Sequence, residues 1–259
     1  MYLGERNWTQ VAGLTQRVVV LPLASFEQHG HHLPLLTDTM VCEEIVRRAE
    51  AELGDAVLFL PTLWPGVSEH HLGFAGTISI SQTVYADLLI DMVESLVSAG
   101  FRRIFLLNAH GGNTVPGHMA VYEVQMRHRS MADLWLAIGA WWGLVSERLA
   151  ALEGMEQPGV IHACEMETSA ILCLRPELVR REAAHGTTIP FASAFYSPDF
   201  SRSSRVEVPR DFAQLSVTGA FGYPEKASAD KGERVLSIAV EEVVAFLREF
   251  ATWPVVGPE

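Results

Sequence analysis

The sequence predicts an α/β fold in which a mainly parallel sheet is covered by helices on both faces. Short apolar runs alternate with longer amphipathic segments along most of the 259 residues, and strands separated in this way run parallel through crossover connections. The runs are apolar throughout rather than every second residue, the pattern of strands buried on both faces. No internal repeat, low-complexity linker or composition break divides the chain, so residues 1–259 are taken as one domain with a single large sheet.

Val18–Leu23 is the first strand, and residues 40–53 carry the first helical pattern, for which Thr37 or Asp38 would serve as N-cap. Residues 56–60 form a second strand, and residues 83–99 an amphipathic helix closed by Gly100 at its C′ position. Arg103–Asn108 is a third buried strand, and residues 114–128 a helix that tolerates Pro116 in its first turn. Residues 134–139 make a fourth strand, followed by a short helix over 142–152. The pattern is helical over 162–174, where Arg175 and Pro176 stop it. A long, weakly structured reach over 183–226, rich in Ser, Pro and Arg, precedes the longest helix, 228–250.

A formal charge of -12 without a basic stripe argues against a nucleic-acid or anionic-membrane partner. Residues 1–16 have neither a basic nor an apolar leader region, and no apolar run reaches the length of a membrane span, so a soluble, cytoplasmic protein is expected. Cys42, Cys164 and Cys173 have no framework spacing and read as reduced thiols.

In open parallel sheets, ligands bind beyond the carboxyl ends of the strands. Four chemically loaded stretches fall there. SFEQHGHHLPLLTDT follows the first strand. If the extended path persists, Glu27 and His29 leave the same face, and Asp38 returns to them when the intervening segment loops back. Carboxylate and imidazole donors without a nearby thiolate suit zinc, manganese or iron. GVSEHHLGFAGT follows the second strand with adjacent His70 and His71. NAHGGN follows the third, placing His110 as a ligand, while Gly111 and Gly112 let backbone approach a metal or substrate. In the fourth stretch, HACEMETS, a helix already running at residue 162 puts His162 and Glu165 on one face and points Glu167 elsewhere. One of the pair would then bind metal and the other move protons. Read alone, the acidic residues there are better explained as a helix N-terminus complementing its dipole.

Together with GYPEKASADKGE near the end, these stretches resemble, in order and over nearly the whole chain, the creatininase (creatinine amidohydrolase) family. The resemblance implies a three-layer α/β/α fold, frequent assembly into hexamers, and two divalent metals that hydrolyse a non-peptide amide bond. Carried over by position, it implies that Glu27, Asp38 and His110 bind one metal. His29, a bridging Asp38 and a second glutamate bind the other. In creatininases that glutamate lies two residues after the histidine matching His110, where this chain has Gly112. Other members have glycine there and a glutamate in the position assigned to Glu165, so Glu165 is expected as the fifth ligand. His162 matches the family's proton-shuttling histidine, and Cys164 stands where glycine is usual, as a small filler.

A small-molecule amide, linear or cyclic, is therefore the expected substrate. Two metals sharing Asp38 would lower the pKa of a water to give a hydroxide nucleophile near neutral pH, and polarise the amide carbonyl. His162 would deliver a proton to the departing nitrogen. Trp142 and His71 are placed by the resemblance near the substrate, with Gly111 and Gly112. A second tryptophan of creatininases is replaced by Pro158, and with Gly112 this argues against creatinine itself. Relatives deformylate a pyrimidine nucleotide intermediate or trim a small modified peptide, and Arg202, Arg205 and Arg210 offer cations to an anionic substrate. A metal-dependent lyase or isomerase using the same metals, and a non-catalytic scaffold, remain as readings from other classes.

Overall fold

Among the described residues, four strands form one parallel sheet in the order β2-β1-β3-β4 in the computed structural model: β1 (Val18–Leu23), β2 (Val57–Phe59), β3 (Arg103–Asn108) and β4 (Trp135–Ala140). The structure describes the chain apart from residues 157–158, 189–192, 201–203 and 257–259, so Pro158 and Arg202 lie outside the described residues.

Successive side chains of a strand leave opposite faces, and here they feed two separate cores. Val18 and Val20 of β1, with Phe105 and Leu107 of β3, enter one core; Val19, Leu21 and Leu23, with Ile104 and Leu106, enter the other. The first core is closed by α2 (Thr37–Leu53), α7 (Glu165–Leu174) and α8 (Ala229–Phe250), whose apolar stripes are buried against it. The second is closed by α3 (Gln82–Ser98) and α4 (Thr114–Arg127). This is the three-layer α/β/α arrangement, and it explains why β1 and β3 have no polar face. The remaining helices are short: α1 (Trp8–Val11), α5 (Trp141–Leu144) and α6 (Ser146–Ala150). No helix among the described residues is long and apolar enough to cross a membrane.

Three local expectations change. Thr37 and Asp38 sit inside the first turn of α2 rather than at its N-cap, which is Leu36 without a side-chain cap. The helix expected over 142–152 is split into α5 and α6 at Val145. The helix expected from residue 162 begins only at Glu165, because Ala163 adopts a left-handed φ of 47° that a right-handed helix cannot contain. Gly100 does close α3 with a positive φ of 102°, its amide donating to the Val97 carbonyl.

The parallel register places Leu23 beside Asn108, and Leu23 also bridges to Leu63 beyond β2. The segments leaving β1, β2 and β3 therefore emerge together at one edge of the sheet. The long 183–226 reach, which contains only short 3-10 turns among its described residues, returns to the same edge: Phe200 N–H donates to the Val160 carbonyl at 2.7 Å.

Candidate metal centre

The segment after β1 is irregular, so strand alternation is not what brings Glu27 and His29 together. Glu27 N–H donates to the Leu35 carbonyl at 3.0 Å and Leu33 N–H to the His29 carbonyl at 3.3 Å. These bonds fold residues 27–35 back on themselves and carry the chain into α2, whose first turn presents Asp38. One carboxylate oxygen of Asp38, Oδ1, lies 3.0 Å from His29 Nε2; the other, Oδ2, lies 3.1 Å from His110 Nδ1 and accepts from Ser25 Oγ at 2.8 Å. Each histidine is steadied from behind by a main-chain carbonyl. His29 Nδ1 donates to the Glu27 carbonyl at 3.2 Å, and His110 Nε2 to the Val67 carbonyl at 2.8 Å. Such outer bonds turn the opposite ring nitrogen toward the shared carboxylate, the arrangement that orients histidines as metal ligands.

Glu27 completes this group. Its Oε2 lies 3.3 Å from His110 Nε2 and accepts from Ser68 Oγ at 2.5 Å, while Oε1 lies 3.2 Å from His71 Nε2. Glu27, Asp38 and His110 offer donor atoms within 4.8 Å of one another, and so, separately, do His29, His162 and Glu167. Oxygen and imidazole donors at this spacing, all but Glu167 fully buried, fit divalent ions of the zinc or manganese type.

The electrostatics are those of a site built for added positive charge. Burial works to raise the Glu27 carboxyl, but His110 and His71 overcome it and hold it well below the usual range. Burial likewise opposes Asp38, which His29 and His110 keep lowered. Against burial, Asp38 raises His29 to about 9, and Glu27 with Asp38 raises His110 well above its ordinary value. Glu167 is pushed up to about 7 by burial, against the pull of His29.

Glu167, not Glu165, is the α7 carboxylate at the cleft. Because α7 starts at Glu165, Glu167 occupies its third position, and side chains there tilt toward the helix N-terminus, which faces the site. Its Oε2 also accepts from Cys164 N–H at 3.4 Å. Glu165 leaves the opposite side: its carboxylate pairs with Lys231 of α8 and accepts from Glu156 N–H at 2.9 Å. The expectation that Glu165 binds metal and shares a face with His162 is corrected accordingly, since a helix phase assumed from residue 162 is wrong when Ala163 interrupts it.

The NAHGGN turn behaves as a close approach. A Cβ at Gly112 would stand 1.8 Å from the Val67 carbonyl oxygen and 2.6 Å from His110 Nε2. No side chain fits there in this backbone, so position 112 supplies no carboxylate and packs closely against His110 and His70 instead.

The cleft is lined by Glu27, Asp38, His110, Gly111, His162 and Glu167, with His70 and His71. Its walls are Trp142, Val160, Phe200 and Phe212. Trp142 lines the cleft, and both Trp141 and Trp142 are buried against the first core. Imidazoles run through the site as a chain of tilted neighbours: ring centroids are 4.3 Å apart for His29 and His162, for His162 and His71, and for His71 and His70. Phe212 lays its edge on three of them, 4.3 Å from His71, 5.1 Å from His70 and 5.2 Å from His162. Burial drives His70 down to about 3 and, with His29 and His71, holds His162 well below its ordinary value. Among the described residues of the lining there is no lysine or arginine. Arg205 lies over the Phe195 ring instead, 4.5 Å from its centroid.

Gln28, Ser68, Glu167, Phe200 and Phe212 are site residues that the sequence reading did not single out. Glu167 had a signal, being a second carboxylate within HACEMETS. Phe200 and Phe212 had none, since they sit in the long irregular reach, where no period predicts which side chain turns inward.

Residues 4–247 match the family model Creatininase, described as creatinine amidohydrolase. A mycofactocin precursor peptide peptidase of Mycobacterium tuberculosis (strain ATCC 25618 / H37Rv) is 31% identical over 260 residues, covering 97% of this chain and 91% of its own. A creatinine amidohydrolase of Pseudomonas putida is 26% identical over 269 residues, covering 96% of each. Among solved structures, a creatinine amidohydrolase (creatininase) superposes with a TM-score of 0.79 at 24% identity, covering 98% of both chains, a likeness of fold.

Proposed function

The chain belongs to the creatininase family, hydrolases of carbon–nitrogen bonds, and from that premise we propose that it is a binuclear metal amidohydrolase acting on a small neutral amide. The observation that carries this reading is Asp38, whose two oxygens each face a different histidine and so join the Glu27, Asp38, His110 group to the His29, His162, Glu167 group. Glu27, Asp38 and His110 would hold one divalent ion, and His29, Asp38 and Glu167 the other. Bound there, the ions would lower the pKa of a water and polarise the amide carbonyl.

The chain's own acid–base group is His162. Its Nε2–H donates to the Gln28 main-chain carbonyl at 2.8 Å, which leaves Nδ1 as the free nitrogen on the side of Glu27 Oε1, 3.6 Å away. Burial keeps the ring neutral near pH 7, so Nδ1 accepts the proton of the attacking water and returns it to the leaving nitrogen. Phe212 shields this ring edge-on and limits water around it.

The lining of buried carboxylates, imidazoles and aromatic rings suits a small molecule or one terminal residue. Its aromatic wall of Trp142, Phe200 and Phe212 favours an apolar or aromatic flank on the amide. A short modified peptide is the second reading, supported by the 31% identity to a peptide peptidase. The nucleotide deformylase alternative draws no support from the described lining, which offers no cation to a phosphate.

The test is a screen of small amides and short peptides with zinc- or manganese-loaded protein in ¹⁸O-labelled water. One label in the acid product, and loss of turnover with metal retained in His162→Gln, are expected. A product that gains no label would replace hydrolysis by a lyase or isomerase reaction.

A further inference from the structure

We propose that Gln28 is a positioning residue whose side-chain amide fixes the proton of His71 on Nε2 and so aims His71 as a hydrogen-bond donor at Glu27 Oε1. Gln28 lies between two metal-ligand candidates and is 5% exposed, with its amide behind the site rather than in solvent. Four contacts determine how that amide is used. Oε1 accepts from the Gly30 main-chain N–H at 2.8 Å, which identifies the oxygen. Nε2 lies 3.1 Å from the Gly219 carbonyl, an acceptor only, which takes one amide hydrogen. Two ring nitrogens remain for the other: His71 Nδ1 at 2.9 Å and His162 Nε2 at 3.0 Å.

His162 cannot take it. Its Nε2 is 2.8 Å from the Gln28 main-chain carbonyl, another acceptor, so that nitrogen already carries a hydrogen. The second amide hydrogen therefore goes to His71 Nδ1, which must present its lone pair. The His71 proton then resides on Nε2, 3.2 Å from Glu27 Oε1. With Oε1 held in this way, the other oxygen of Glu27 is left beside His110. One amide thus links residues 28, 71 and 219, from three separate segments of the chain.

The late segment is shaped for this contact. A Cβ at Gly219, where φ is 76°, would fall 2.1 Å from Gln28 Oε1, so only glycine allows the amide to sit between Gly30 and the Gly219 carbonyl. Apolar packing would not need that room, nor an oxygen and nitrogen each matched to a main-chain partner.

The test uses ¹⁵N-histidine-labelled protein, metal-free and zinc-loaded, with two variants. Gln28→Glu keeps the shape and the acceptor for Gly30 N–H but faces His71 with an oxygen; Gln28→Leu removes donor and acceptor. Long-range ¹H–¹⁵N spectra report which ring nitrogen carries the proton, and the His71 signal is assigned by its loss in His71→Asn. The wild type is expected to show Nε2–H, Gln28→Glu to show a proton on Nδ1, and Gln28→Leu to lose the single tautomer. Zinc affinity, measured by chelator competition, should fall about 10-fold in both variants, the scale of outer-partner loss. An Nε2–H tautomer retained without a proton on Nδ1 in Gln28→Glu, or a changed tautomer with unchanged zinc affinity, overturns the proposal. Neither readout uses turnover, so the result stands apart from whether an amide substrate is found.

Discussion

Replacing Glu165 and Glu167 in turn by glutamine separates a structural carboxylate from a metal-binding one two residues away. Glu165 has a fully buried side chain paired with Lys231, whose own side chain is 19% exposed and also donates to the Lys226 carbonyl at 2.8 Å. Glu165→Gln keeps the shape but leaves that lysine without its countercharge. Removing one partner of a buried pair costs about 3–5 kcal/mol, and partial solvation of the lysine returns some of it, so about 2–3 kcal/mol is expected. For a chain of this size 1 kcal/mol corresponds to roughly 2–4 °C, which puts the fall in Tm at about 4–12 °C. Metal content should not change. Glu167→Gln removes a carboxyl that burial already pushes up to about 7, so the metal-free fold should lose little stability. Bound metal should instead drop from about two ions per chain to about one. Elemental analysis after dialysis, with thermal unfolding followed by circular dichroism, reads both quantities. If Glu165→Gln loses an ion while Glu167→Gln keeps both, the placement of α7 argued from Ala163 is refuted.

Other consequences follow from the same geometry. In Gly112→Ala the added carbon meets the Val67 carbonyl that holds His110 Nε2 at 2.8 Å, so metal affinity should fall about 10–100-fold by chelator competition; an unchanged affinity would mean the turn yields without disturbing His110. His29, raised to about 9, and His110, raised well above its ordinary value, both carry protons near neutral pH that a bound ion must displace. Calorimetry in buffers of different ionisation enthalpy should show on the order of two protons released per chain, and affinity rising with pH; no release would contradict the ligand assignment. By the same sign, the His29–Asp38 contact stabilises the metal-free fold fully below about pH 6.5. That contribution is lost as pH rises through about 9. Assembly, implied by the family resemblance, is checked by sedimentation: a mass well above the 28.6 kDa chain is expected, and a single-chain mass would exclude it.

The strands and most helices were legible because their signals are local. β1 and β3 appear at the bounds that their apolar runs mark, and α3 ends where Gly100 stops it. Glu27, His29 and His110 were legible as candidates because they follow β1 and β3 closely, and the parallel register collects those strand ends at one edge. Even there the reason differs from the expectation, since Glu27 and His29 meet through a folded-back loop and not through strand alternation.

By itself, then, the sequence determined the layered α/β architecture and which donor-bearing loops share an edge, both of which depend on hydrophobic period and connection length. Tertiary structure decided which carboxylate of α7 faces that edge, because a helix's phase depends on where it starts, and that start is set by one left-handed residue, Ala163. It also decided that Gly112 leaves no space for a side chain, that Gln28 turns inward, and that Phe200 and Phe212 close the cleft. Each of these rests on contacts between residues far apart in the chain, and no local periodicity encodes them.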